Sequence, residues 1–190
     1  MNNRRIWFRL GGVLAAAAVC TGGAAVVSDR AQKAKNVQRA FLGAMETQMQ
    51  IGCYPSETGS PADLTERERT ELQTAYTSRV EQYYTEENPC RKRYIALNED
   101  FLTACDSDVE YSESGGVADC RFDSVRLYAD RMTAVVQAQT VVWDKRISGN
   151  PEQGFSVELP VNRDTITATM KKENGVWKLD SIDSQISLSA

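Results

Sequence analysis

The residues best placed by type to do chemistry are four cysteines beyond position 50: Cys53, Cys90, Cys105 and Cys120. An even number of cysteines in a chain addressed outside the cytoplasm reads as two disulfides. A zinc site would want paired ligands two to four residues apart, and even the closest cysteines here, Cys90 with Cys105 and Cys105 with Cys120, enclose fourteen residues. Two pairings stay open. Sequence proximity favours Cys53 with Cys90 and Cys105 with Cys120, whereas straight antiparallel helices would bring Cys53 nearer Cys105, because a 25-residue helix runs ~38 Å. The chain contains no histidine, which removes Ser-His-Asp, Cys-His and HExxH chemistry and the commonest nitrogen ligand of zinc. No cofactor and no metal are expected.

Other chemistry-bearing groups read as structure. Asp106, Asp108 and Glu110 alternate and would share one face of a strand, but Tyr111 stands where a calcium loop needs glycine, so an exposed acidic edge is the simpler reading. Tyr76, Tyr83, Tyr84, Tyr94 and Tyr128 read first as aromatic packing beneath helices. If the body holds a pocket, Tyr76, Tyr94, Gln137 and Trp177 are its candidates. An enzyme would need Asp144, Glu158 or Asp180 turned inward, and none is expected to be.

These groups follow a leader. Arg4, Arg5 and Arg9 precede an uncharged run from Leu10 to Ser28, with the first acid at Asp29. With Ile6, Trp7 and Phe8 the apolar stretch approaches the ~20 residues of a spanning helix and exceeds the ~7–15 of a signal-peptide core. Residues 1–28 therefore read as a signal anchor or a signal peptide, retention being favoured, and Val19 argues against a lipoprotein reading of Cys20. The expected place is the cytoplasmic membrane, crossed once with the N-terminus inside and the C-terminal domain outside; the alternative is secretion after cleavage. Small residues four apart, such as Gly11 with Ala15 and Ala18 with Gly22, would let two helices approach, so a homo-oligomer is among the expected partners, beside other membrane or envelope proteins. A formal net charge of −4 without a dense basic face argues against nucleic acid.

The remaining residues, 29–190, suffice for one domain. Asp29 to Gln50 reads as a helix with Val37, Phe41, Met45 and Met49 in one stripe. A second helix opens at Ser60-Pro61 or at Asp63 with Glu66, buries Leu72, Tyr76, Val80 and Tyr83, and stops at Asn88-Pro89. A third, Arg91 to Ala104, would bury Tyr94, Leu97 and Phe101. The period then falls to two. Gly115-Gly116 predicts a turn, Ala129-Asp130-Arg131 another, Met132 to Trp143 a central strand, and Ser148 to Gly154 a loop. Phe155, Val157, Leu159 and Val161 alternate after it. Asn174-Gly175 predicts a hairpin with Met170 opposite Leu179 and Lys172 opposite Trp177.

Three helices, then an antiparallel sheet of about four to six strands closing on Glu173-Asn174-Gly175-Val176-Trp177-Lys178-Leu179-Asp180-Ser181-Ile182, resemble the nuclear transport factor 2-like, cystatin-like α+β cone over roughly Lys33 to Ile186. An anchor before such a domain is similar to the bitopic scaffold subunits of conjugation and type IV secretion channels and to membrane proteins associated with Mce lipid importers. The resemblance implies a bacterial extracytoplasmic protein whose helices pack on a curved sheet. It implies a non-catalytic, membrane-anchored interaction or assembly module, accessory to a secretion, conjugation or transport complex. The alternative is a binding protein holding a small apolar ligand in the cone cavity, and an isomerase-like enzyme is the weakest reading.

Overall fold

The computed structural model describes residues 29–54, 64–103, 111–150 and 154–186. The N-terminal apolar run, Cys105 and the acidic trio Asp106, Asp108 and Glu110 lie outside the described residues. Among those described, no helix is long and apolar enough to cross a membrane. The chain divides into two compact units, Met1–Asn36 and Val37–Ala190. In the first, the described residues are the helical stretch 29–36, where Lys33 is paired with Asp29.

Helix α1 covers 29–49, α2 Glu66–Tyr83 and α3 Pro89–Thr103. The sheet follows: β1 Tyr111–Leu127, β2 Thr133–Asn150, β3 Gly154–Glu158, β4 Val161–Glu173 and β5 Val176–Ile186. All pairings are antiparallel, in the order β1-β2-β4-β5, with β3 joined to the far end of β2. The architecture is the expected α+β arrangement of three helices on a five-stranded antiparallel sheet.

Strand parity sets the core. Ala134, Val136, Ala138 and Val142 on β2 and Ile166, Ala168 and Met170 on β4 are buried toward the helices, with Trp177 and Leu179 of β5 beside them. From the helices come Val37, Phe41, Met45, Tyr76, Val80 and Tyr84. Burying each large side chain contributes ~1.5–3 kcal/mol, so this seam holds the layers together. The stripe expected on α1 is the one that is buried as far as Met45. Asn174 and Gly175 turn the last hairpin at φ 50° and 85°, the left-handed pair that a primed two-residue turn requires, and Met170 faces Leu179 as expected.

Four sequence expectations are corrected. Helix α2 starts later than its Ser-Pro or Asp-Glu signals: Thr65 is the N-cap, its hydroxyl accepting Glu68 N–H at 3.3 Å while the Glu68 carboxylate accepts Thr65 N–H at 2.9 Å. Gly115-Gly116 is no turn but lies inside β1, where a side chain on Gly115 would collide with the Met49 carbonyl oxygen at the end of α1. Helix α3 buries Asn98 and Leu102, leaving Phe101 56% exposed, because polar Asn98 is drawn inward to backbone and amide partners. Ser148 to Asn150 are strand, not loop, extended by pairing with β3.

Candidate functional site

Helix α1 runs back along β1, with Phe41 edge-on to Phe122 at 5.8 Å and its last turn against Gly115. There the three helices part from the sheet. The gap is an open cleft of about 510 Å³, bounded by α2 (Leu72, Ala75, Tyr76, Arg79), α3 (Asn98, Leu102), the turn after α1 (Gln50, Cys53) and the start of β1 (Glu113 to Gly115).

Its frame is a satisfied polar network. Asn98, 3% exposed, accepts Gly52 N–H at 2.9 Å and donates to Gln73 Oε1 at 2.6 Å, while Gln73 donates to the Ile95 carbonyl at 3.0 Å. These bonds tie the turn after α1 to both other helices. Arg79 donates to Gln50, and Glu113 is ion-paired with Lys145. Tyr76 differs: it is 6% exposed and its hydroxyl has no partner among the described residues. Burial pushes its hydroxyl up from the usual tyrosine range, with Tyr94 and Cys53 adding to the effect.

Of the four pocket candidates, only Tyr76 lines the cleft. Tyr94 stacks edge-on against Tyr84 at 5.6 Å and hydrogen-bonds Cys90, as part of the core margin. Trp177 is 7% exposed and fills the core. Gln137 is exposed and accepts from Ser124 Oγ at 2.9 Å on the helix-free face, because the even positions of β2 take the inner side. Asp144 does turn inward, contrary to expectation, and meets Arg146 at 2.7 Å with its own side chain 14% exposed. Asp180 bonds Lys171 at 3.0 Å, and Glu158 is exposed. Arg79, Gln50 and Asn98 carried no motif or spacing that would have marked them.

The two-disulfide expectation is not met among the described residues: Cys53, Cys90 and Cys120 are free thiols. Separation explains this. Cys53 adjoins Tyr54, whose N–H bonds the Ser112 carbonyl at 2.9 Å; Cys120 lies eight residues further along β1, roughly 25 Å at strand rise, against the ~7 Å a disulfide tolerates. Cys90 follows Asn88, which donates to the Leu179 carbonyl of β5 at 3.1 Å, three strand spacings or ~14 Å from β1. The Cys53 thiol donates instead to the Met49 carbonyl at 3.4 Å, and burial, with Asp144 adding, pushes it up to about 12. Burial, with Asp119 adding, pushes Cys120 up to about 11.

A second feature is an arm formed by the end of β2, β3 and the start of β4. Val157 lies opposite Ile147 and Val161 opposite Trp143, so the four share the helix-free face. Val157 and Leu159 are each 60% exposed and Val161 55%. Elsewhere that face is mixed, with half-buried Val135 and Val141 beside Gln139, which bonds Asp123 at 3.1 Å, and Gln137, which accepts from Ser124.

No family model and no curated protein sequence matches the chain. Solved structures do. The intermembrane space region of chloroplast protein ARC6 superposes with TM-score 0.50 at 14% identity, over 81% of this chain and 97% of that one. The likeness is one of fold. Two calcium/calmodulin-dependent kinase II association domains superpose with TM-score 0.35: one from Exiguobacterium sibiricum at 12% identity, over 65% of this chain and 88% of that one, and one from Xanthomonas campestris at 17%, over 73% and 95%.

Proposed function

We propose that this chain is a membrane-anchored, non-catalytic assembly module that works by contact outside the cytoplasmic membrane, with the arm as its contact surface and a second copy as the occupant. The single observation carrying the reading is the run Val157, Leu159 and Val161, each more than half exposed on the arm. Contiguous exposed apolar surface of this kind marks interaction sites. The leader before Asp29 supports the membrane part. The arm also lies at the end of the body away from Val37, since α1 reaches Gly115 only at its last turn and the arm extends beyond that point.

Comparison of the sheet edges favours self-pairing. Strand β1 is interrupted by three register shifts, which deter a new strand, and β5 is met at Leu179 by Tyr84 and Thr85. Among the described residues, β3 pairs with β2 alone and has neither protection. If two β3 strands pair antiparallel about Ser156, Glu158 falls opposite Gly154 of the other copy, and like charges do not meet.

The test is Ser156→Cys in the full chain, in cells. The expected result, relative to the parent chain with its own free thiols, is added labelling by a membrane-impermeant maleimide from outside and, on mild oxidation, a covalent dimer that the parent does not form and Val157→Asp prevents. Labelling only after lysis would overturn the location. A cysteine that is labelled yet yields no dimer, or that links to a different polypeptide, would overturn self-pairing.

A further inference from the structure

We propose that the cleft between α2, α3 and the start of β1 binds a small organic carboxylate with an apolar body. This does not rest on the arm or on the membrane reading. The volume of about 510 Å³ falls within the ~300–1,000 Å³ of ligand sites. What selects the ligand is the polar inventory.

Arg79 is half-buried at the cleft wall, and the one partner its guanidinium has among the described residues is the neutral side chain of Gln50. A guanidinium carries five donors in a planar fork that matches a carboxylate. The other charges nearby are already matched: Glu113 with Lys145, and Asp144 with Arg146. The positive charge of Arg79 is therefore left for an anion. Tyr76 supplies an independent sign. Its hydroxyl is buried and unpartnered, and it sits three residues before Arg79, on the same face of α2. A buried hydroxyl without a partner is destabilising, and an acceptor in the cleft would relieve it. Asn98 has its partners in Gly52 and Gln73, so it shapes the wall. Leu72, Ala75 and Leu102 offer apolar surface for the rest of the ligand. The carboxylate would accept from Arg79 and Tyr76, with the body lying over the two leucines.

Titration calorimetry on the full chain in detergent, with hydrocinnamate as probe and hydrocinnamyl alcohol as its neutral counterpart, tests the site. The expected result is saturable binding of hydrocinnamate, weakened about tenfold or more in Arg79→Gln and several-fold in Tyr76→Phe, with the alcohol at least about tenfold weaker. Tyr76→Phe should also melt no lower than the parent, since it removes an unsatisfied group. Ala75→Trp, at an exposed helix position on the rim, should block binding without touching the core. Absence of saturable binding, equal binding of the alcohol, unchanged affinity in Arg79→Gln, or full binding in Ala75→Trp would each overturn the proposal.

Discussion

The side-chain oxygen of Asn98 accepts the backbone N–H of Gly52 at 2.9 Å, joining the middle of α3 to the turn that ends α1 across 46 positions of sequence. Gly52 has φ +66° and the Phe101 ring packs against it, so this turn is held by conformation, contact and hydrogen bond together.

Asn98→Ala should therefore cost about 2–3 kcal/mol in urea unfolding, since it orphans the Gly52 donor, strips Gln73 of a partner and leaves a gap in a 3%-exposed position. Leu97→Ala, at a half-buried position next in sequence, should cost less. Equal losses at the two positions would mean that the inward face of α3 is the apolar one its sequence advertises and not the polar one in the structure.

Burial also gives stability a dependence on alkali. The folded chain pushes the Cys53 thiol up to about 12 and the Cys120 thiol up to about 11, from an ordinary 9.0, and moves the Tyr76 and Tyr84 hydroxyls upward as well. Each is neutral when protonated, so the unfolded chain releases these protons at lower pH than the folded chain does. Stability from these groups is then fully present below about pH 9 and declines as pH rises toward 12. The urea midpoint should fall between about pH 8 and about pH 10.5, and Cys53→Ala should fall less over the same interval. An identical fall in both proteins would show that Cys53 is not held protonated by its surroundings.

How much was legible in the sequence depended on whether the deciding contact was local. Asn174-Gly175 fixes its hairpin through two backbone angles, so the facing of Met170 with Leu179 could be read directly. Val37, Phe41 and Met45 repeat at helical spacing and are buried accordingly. Tyr76 was legible as an inward aromatic, of core or of cleft, from its place on the apolar face of α2. Gln137 was not, since which side of β2 it takes follows from pairing with β1 and β4, set by residues far away. The cleft draws Gln50, Arg79 and Asn98 from three elements with no common spacing. The arm escaped because Ser148 to Gly154 is rich in turn residues, and only cross-strand pairing makes 148–150 strand.

Gly115 and Gly116 separate a turn from a close approach. A Gly-Gly pair at the tip of a primed two-residue hairpin needs positive φ, yet neither residue has it, and both pair with β2. The glycine requirement at 115 is one of space: a β carbon there would run into the Met49 carbonyl oxygen, a backbone atom that can move only if α1 lifts from the sheet. At 116 the nearest atom is Trp143 Nε1 at 3.3 Å, on a half-buried side chain that can give way. Gly115→Ala should accordingly cost about 1–3 kcal/mol as an overpacking change, and Gly116→Ala clearly less. Because the turn that follows α1 forms one lip of the cleft, Gly115→Ala should open that turn at Gly52, read as faster amide exchange of Gly52 relative to Gly175, which lies in a distant hairpin. Equal cost at the two glycines, with Gly52 exchange unchanged, would show that α1 does not rest on β1 at this point.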